Sequence, residues 1–265
     1  MRSELSWADR SVPAVLRQVG ERQPLVHCLT NIVVAQFTAN VLLAVGASPA
    51  MVENAVESGP FATVAAAVLV NLGTLSAERE VAMRDAASAA HEHGRPWVFD
   101  PVAVGALAHR TTFAGELLAL HPAVVRANAS EVMSLAGSGA SGRGVDSLAR
   151  SEEAIDAAIE LARARGCVVA VSGAVDYVTD GKDVVEVAGG SRLLTRITGT
   201  GCALGALVAA FVAVERDVLL ATAAASAVFK TAGEAAARDE PGPGTFAVGL
   251  LDQLGAMADA ASELA

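Results

Sequence analysis

Ala67-Val-Leu-Val-Asn-Leu72, an Ala-rich stretch of helical length over 77–91, then Pro96-Trp-Val-Phe-Asp100: this succession decides the fold. Each short run is apolar on consecutive residues, as a strand must be when helices cover both of its faces. A helix-length segment between two such runs is the crossover that parallel neighbours require. The pattern recurs at Ala123-Val-Val125 and Cys167-Val-Val-Ala-Val171, with further helical stretches over 35–43, 111–120, 130–135 and 152–165. Such βαβα alternation predicts an α/β fold: a mostly parallel central sheet flanked by helices on both faces. One interruption is Tyr177-Val-Thr-Asp-Gly-Lys-Asp-Val-Val-Glu-Val187, two alternating strands around Asp180-Gly181, which reads as a hairpin. Another is the glycine-rich segment 137–144, read as a surface loop without assignable chemistry. No composition break or internal repeat divides the chain, so residues 1–265 are expected to form a single domain.

Composition removes several function classes. The net charge of −10, with no basic cluster to offset it, argues against nucleic acid. The apolar runs at 62–70 and 203–214 fall short of the ~20 residues a membrane span needs. The N-terminal ten residues carry mixed charge and no apolar core, unlike a secretory signal. Cys28, Cys167 and Cys202 are odd in number and lack metal-ligand spacing, so they read as reduced thiols of a cytoplasmic protein. Of the two lysines, Lys182 and Lys230, neither sits in a Gly-x-x-x-x-Gly-Lys-[Ser/Thr] loop, which excludes a Walker-type phosphate loop.

In open α/β sheets, ligands bind beyond the carboxyl ends of the strands, and polar residues gather at those ends here. Asp100-Pro101 follows one strand, Arg126-Ala-Asn128-Ala-Ser-Glu131 the next, and Ser172-Gly173 another. After the hairpin, Thr198-Gly199-Thr200-Gly201-Cys202 precedes the apolar run 203–214, which is long enough for a buried helix. A small-residue loop at a helix N-terminus offers unpaired N–H groups to a phosphate. Asp100 and Glu131 are hard oxygen ligands suited to Mg²⁺, and Asn128 can orient a bound water. Equally, Asp100 can cap a turn before Pro101, and Glu131 can simply open a helix. Arg126 can hold phosphate oxygens or form a surface ion pair. Ser172 can meet a nucleotide or close a strand. Cys202 is either a small packed residue or a thiol whose ionisation the helix terminus favours, able to take a proton from an alcohol. His27 reads as an internal histidine rather than a catalytic one.

These segments, in this order, resemble the hydroxyethylthiazole kinase family of the ribokinase-like superfamily. The matching stretches include 26–34, 37–40, 46–51, Asn71-Leu-Gly-Thr-Leu75, Asp100-Pro-Val102, Arg126–Glu131, Gly144-Val-Asp-Ser147, 169–181, Thr198–Cys202 and Gly242-Pro-Gly244. The resemblance implies a ribokinase-like three-layer fold and phosphorylation of 4-methyl-5-(2-hydroxyethyl)thiazole with ATP and Mg²⁺ in thiamine biosynthesis or salvage. It also implies a homotrimer with active sites between subunits. By position it gives Met51, Gly199 and Asn31 to the thiazole, and Arg126, Ser172 and Thr198 to ATP. Asp100, Glu131 and Asn128 fall to the metal, Thr200 and Gly201 to the anion hole, and Cys202 to the base. Ribokinase-like kinases usually place Asp where Cys202 stands, and Ala103-Val104 replaces a Gly-Ala pair of the family. Alternatives within reach are a sister kinase of the hydroxymethylpyrimidine type, a nucleotide-binding regulatory module, and a thiol enzyme using Cys202 as nucleophile.

Overall fold

All five residues of the 67–71 run are buried, as a strand covered on both faces requires. The computed structural model describes residues 1–137, 150–239 and 242–264. Its first half runs β1 (Arg2–Glu4), α1 (Ser11–Arg22), β2 (Leu25–Leu29), α2 (Ala35–Ala44), β3 (Ser48–Ala50), α3 (Ala55–Val64), β4 (Ala67–Asn71), α4 (Ala77–Glu92) and β5 (Trp97–Asp100). Then follow α5 (Ala108–Leu118), β6 (Val124–Asn128), α6 (Ala129–Leu135), α7 (Ile155–Arg165), β7 (Val168–Ser172), β8 (Asp176–Thr179) and β9 (Val184–Val187). The helices α8 (Thr200–Val212), α9 (Val218–Ala236) and α10 (Pro243–Glu263) complete the chain. The glycine-rich segment, apart from Gly137, and the Gly144-Val-Asp-Ser147 motif lie outside the described residues.

The described strands form one nine-stranded sheet in the order β1-β9-β8-β7-β6-β5-β4-β2-β3. Among them β8 alone runs against its neighbours, because the expected Asp-Gly hairpin joins it to β9. Period-two alternation sends successive side chains of each strand to opposite faces. Ala67 and Leu69 join a core with α1, α2, α8, α9 and α10, whereas Val68 and Val70 join one with α3, α4, α5, α6 and α7. The result is the expected three-layer arrangement. Helix α8 is buried from Ala203 to Val212, so its sequence is apolar all round rather than amphipathic.

Among the boundaries that depart from the expectation, three bear on the site. Strand β6 continues past Val125 to Asn128, because Arg126, Ala127 and Asn128 pair with Ala170, Val171 and Ser172 of β7. Residues 151–154 form a 3₁₀ turn rather than the start of a helix. Helix α8 begins at Thr200, so Thr200, Gly201 and Cys202 are its first turn rather than a preceding loop.

Candidate active site

The site lies where neighbouring crossovers part. Helix α2, which follows β2, packs on one face of the sheet, and α4, which follows β4, packs on the other. The carboxyl ends of these adjacent strands therefore open into a crevice, the usual ligand position in open α/β sheets. Asn31 stands beyond β2 and Asn71 ends β4, one on each side of it.

From this crevice a chain of polar contacts crosses the strand ends. Asn31 Nδ2 donates to Cys202 Sγ at 3.3 Å and to Asn71 Oδ1 at 3.1 Å. Asn71 Nδ2 donates to Asp100 Oδ2 at 2.6 Å. Arg126 Nη1 stands 3.7 Å from that same oxygen, and Arg126 Nε donates to Ser172 Oγ at 3.1 Å. Thus Asn31, Asp100, Arg126, Ser172 and Cys202, scattered over the sequence, meet through one row of side chains. Asn71, part of the matching Asn71-Leu-Gly-Thr-Leu75 stretch but given no role there, is the link. Its signal was there: an asparagine closing an otherwise apolar strand.

Helix α8 brings its N-terminus to the row. Its N-cap, Gly199, has φ +87°, and a Cβ there would lie 2.2 Å from Val34 Cγ1, so only glycine fits. No side chain caps the first turn, which leaves its N–H groups available to an anion. A Cβ on Gly201 would come within 2.7 Å of Arg126 Nη1, so the bare backbone lets the guanidinium lie against this turn. Thr200 Oγ1 donates to the Leu194 carbonyl at 2.8 Å, fixing the entry of the chain into α8.

Asp100 is buried, and its Oδ1 has no hydrogen-bond partner. Burial pushes its carboxyl up, while the Arg126 charge and the Asn71 donor act in the opposite sense. An orphaned buried carboxylate oxygen fits a hard divalent cation. Glu131 and Asn128 form the capping box of α6. Glu131 Oε2 accepts from Asn128 N–H and Asn128 Oδ1 accepts from Glu131 N–H, each at 2.9 Å. Glu131 Oε1 accepts from Ala103 N–H, also at 2.9 Å. The helix-opening role of Glu131 is therefore real, and each of its oxygens keeps a second lone pair for a water. Burial first, then the Asp100 charge, raises the Glu131 carboxyl. No group of three or more His, Cys, Asp or Glu side chains able to hold a metal occurs among the described residues. Magnesium, which keeps several waters, is compatible with so sparse a set.

Cys202 behaves contrary to the helix-terminus expectation. Burial, then the negative charge of Asp100, pushes its thiol up to about 11. Desolvation and Asp100 outweigh the opposing Arg126 charge and the Asn71 and Asn31 donors, so the thiol form dominates at neutral pH. His27 is buried, with Nε2 2.7 Å from the Val52 carbonyl, and burial lowers its pKa. It stays neutral and outside the polar row.

Beside Arg126 opens a cleft of about 720 Å³ whose walls include Asn128, Ser172, Thr200 and Gly201. Thr198 is exposed on the turn before α8 and does not line this cleft. Met51 is half-buried just past β3, packed against the α2/α8 side of the core and likewise outside the cleft.

The hydroxyethylthiazole kinase family model matches residues 16–260. The chain belongs to the hydroxyethylthiazole kinase family. It is 56% identical over 243 residues to the hydroxyethylthiazole kinase of Clavibacter sepedonicus, covering 92% of this chain and 88% of that one. A solved hydroxyethylthiazole kinase from Pyrococcus horikoshii superposes with a TM-score of 0.85 at 40% identity, over 92% of each chain. A ribokinase-like superfamily protein of Enterococcus faecalis, only 12% identical, superposes with a TM-score of 0.67 over 97% of this chain and 96% of that one. This second likeness shows the ribokinase-like fold alone. The membership makes the chain a kinase. Among the described residues, no helix of this kinase is long and apolar enough to cross a membrane.

Proposed function

We propose that this kinase transfers the terminal phosphoryl group of ATP to the primary hydroxyl of 4-methyl-5-(2-hydroxyethyl)thiazole, in thiamine biosynthesis or salvage. The observation that carries the reading is the unbroken polar row from Cys202 through Asn31, Asn71 and Asp100 to Arg126 and Ser172. One end, at Arg126 and Ser172, opens on the cleft, and the other, at Cys202 and Asn31, on the crevice between β2 and β4. Two substrates at opposite ends of one row meet at the uncapped turn of α8.

In this reading Arg126 and Ser172 hold the nucleotide in the cleft, and Thr198 meets it from the turn before α8. Asp100, through its unpartnered Oδ1, holds Mg²⁺ with waters oriented by Glu131 and Asn128. The ion, when bound, neutralises charge on the phosphates. Met51, Asn31 and the Gly199 backbone hold the thiazole alcohol. The first-turn N–H groups at Thr200, Gly201 and Cys202 face the charge that builds on the transferring group. Transfer through a loose transition state rests on positioning and charge stabilisation, and little on the strength of the base. A thiol mostly protonated at neutral pH can thus serve, taking the alcohol proton on its minor thiolate form.

The same reading takes the whole chain as one catalytic domain and places it in the cytoplasm, where its three free thiols stay reduced. It also takes the enzyme as a homotrimer with interfacial sites. Ile32, Val33, Val56 and Val64 are 72%, 64%, 82% and 63% exposed, on segments flanking Asn31 and Met51. Apolar exposure of this kind marks an interaction surface. The test is an ADP-release assay with ATP, Mg²⁺ and, in turn, the thiazole alcohol, hydroxymethylpyrimidine and pyridoxal. Preferential turnover of the thiazole alcohol is expected, and preference for another alcohol would move the assignment to a sister kinase.

A further inference from the structure

Lys230 sits in the middle of α9, in an otherwise small and apolar stretch, and is only 6% exposed. Its Nζ lies 3.1, 2.9 and 3.2 Å from the carbonyl oxygens of Gly173, Ala174 and Gly189, and 3.2 Å from Asp176 Oδ1. An ammonium has three N–H donors and no acceptor, so four surrounding oxygens saturate it. No proton is left for a bound phosphate. The partners are informative: Gly173 and Ala174 turn β7 into β8, and Gly189 leads away from β9. Both turns line the 720 Å³ cleft, on the side facing Arg126. One helical turn beyond Lys230, Glu234 Oε1 accepts the Gly190 N–H at 3.1 Å. Helix α9 therefore grips the 189–190 segment by a carbonyl and an N–H at once, and reaches across to the 173–174 turn with the same ammonium. Asp176 closes the arrangement by accepting the Gly173 N–H at 2.9 Å.

We infer that Lys230 is a positioning residue for the nucleotide, an internal cation that clamps the two glycine-containing turns of the cleft into one rigid wall. This rests on the reading of the cleft as the ATP site. Losing the ammonium removes the carbonyl contacts that tie the two turns together and leaves Asp176 buried without its ammonium partner beside an incoming polyphosphate. Nucleotide affinity falls, whereas the alcohol end of the site, with no contact to the clamp, keeps its affinity.

The experiment is calorimetric binding of ADP to the full-length wild type, to Lys230→Ala, and to Lys230→Met/Asp176→Asn, which removes both charges together. Thermal melts and the KM for the alcohol accompany each. The expected result is an ADP Kd raised about tenfold or more in both variants, in the upper range of coupling through residues that do not touch the ligand. The KM for the alcohol should stay within about twofold, since nothing in the clamp reaches that end. In Lys230→Ala, ammonium or ethylammonium ions should refill the oxygen cage and restore most of the affinity. Tetramethylammonium at equal ionic strength, which has no N–H donor, should not. Wild-type ADP affinity in either folded variant overturns the clamp while leaving the nucleotide cleft intact. Unfolding of both variants overturns it in favour of a purely architectural lysine. Absence of ADP binding in the wild type would instead refute the cleft assignment itself, and the clamp with it.

Discussion

The position of the Cys202 proton makes the sharpest kinetic prediction. Burial and Asp100 place the thiol at about 11, so at pH 8 roughly one molecule in a thousand carries the thiolate. If that thiolate takes the alcohol proton, kcat at saturating ATP and thiazole alcohol should climb about tenfold per pH unit between pH 7 and 9, without a plateau. Cys202→Asp replaces a scarce base by one that is ionised throughout this range, with Asn31 Nδ2 still placed to donate to it. Its profile should be flat, and its rate at pH 7 should exceed that of the wild type. Alkylation of Cys202 by iodoacetamide, followed on the peptide by mass spectrometry, provides an independent readout with the same unit slope, because only the thiolate reacts. A wild-type plateau below pH 8, or an equal slope in Cys202→Asp, would refute the reasoning. Either result would assign the ionisation to another group and reduce Cys202 to packing.

Three further outcomes follow from the same geometry. Asn71→Leu keeps the volume but removes the donor to Asp100 and the acceptor for Asn31, so kcat should fall by roughly ten- to a hundredfold while the KM for ATP changes little. Gly201→Ala places a Cβ 2.7 Å from Arg126 Nη1 and displaces the guanidinium; the KM for ATP should rise by roughly tenfold or more, and that for the alcohol much less. An Arg126→Ala comparison should show the same bias, and the reverse bias would mean that the two ends of the site are exchanged. Ala103 holds φ +64°, a left-handed position that L side chains occupy at a cost, so Ala103→Gly should stabilise the fold by about 1 kcal/mol in urea unfolding.

Much of the sheet was legible because strands buried on both faces leave unbroken apolar runs, and because Asp180-Gly181 announces its hairpin. The ends of elements were less so. Arg126 and Asn128 belong to β6 only because β7 offers them backbone partners, a fact of pairing that no local pattern carries. Cys202 showed the same limit in its chemistry: the helix terminus could be read from the glycines before it, but the burial and the Asp100 charge that raise its thiol come from elements distant in sequence. Glu131 combined both readings weighed for it, since the residue that opens α6 also stands near Asp100. The Ala103 substitution was visible as a departure from the family pattern, and the positive φ supplies the reason glycine is usual there. The sequence marks Lys230 only as a lysine outside any phosphate loop. Its meaning depends on three carbonyls from two turns that no sequence motif brings together.

The two carboxamides between Cys202 and Asp100 also have a polarity. An ionised Asp100 accepts only, so Asn71 must turn its amino group toward it and its oxygen toward Asn31. Asn31 must then answer with its own amino group, which is the group that reaches Cys202. An ionised Asp100 thus favours, through two amide orientations, a donor at the sulfur. The Gly73 N–H, which donates to Asn71 Oδ1 at 2.9 Å, holds the Asn71 amide in the same sense. Asp100 and the Gly73 N–H thus decide, through two amides, which group meets a sulfur to which neither is hydrogen-bonded.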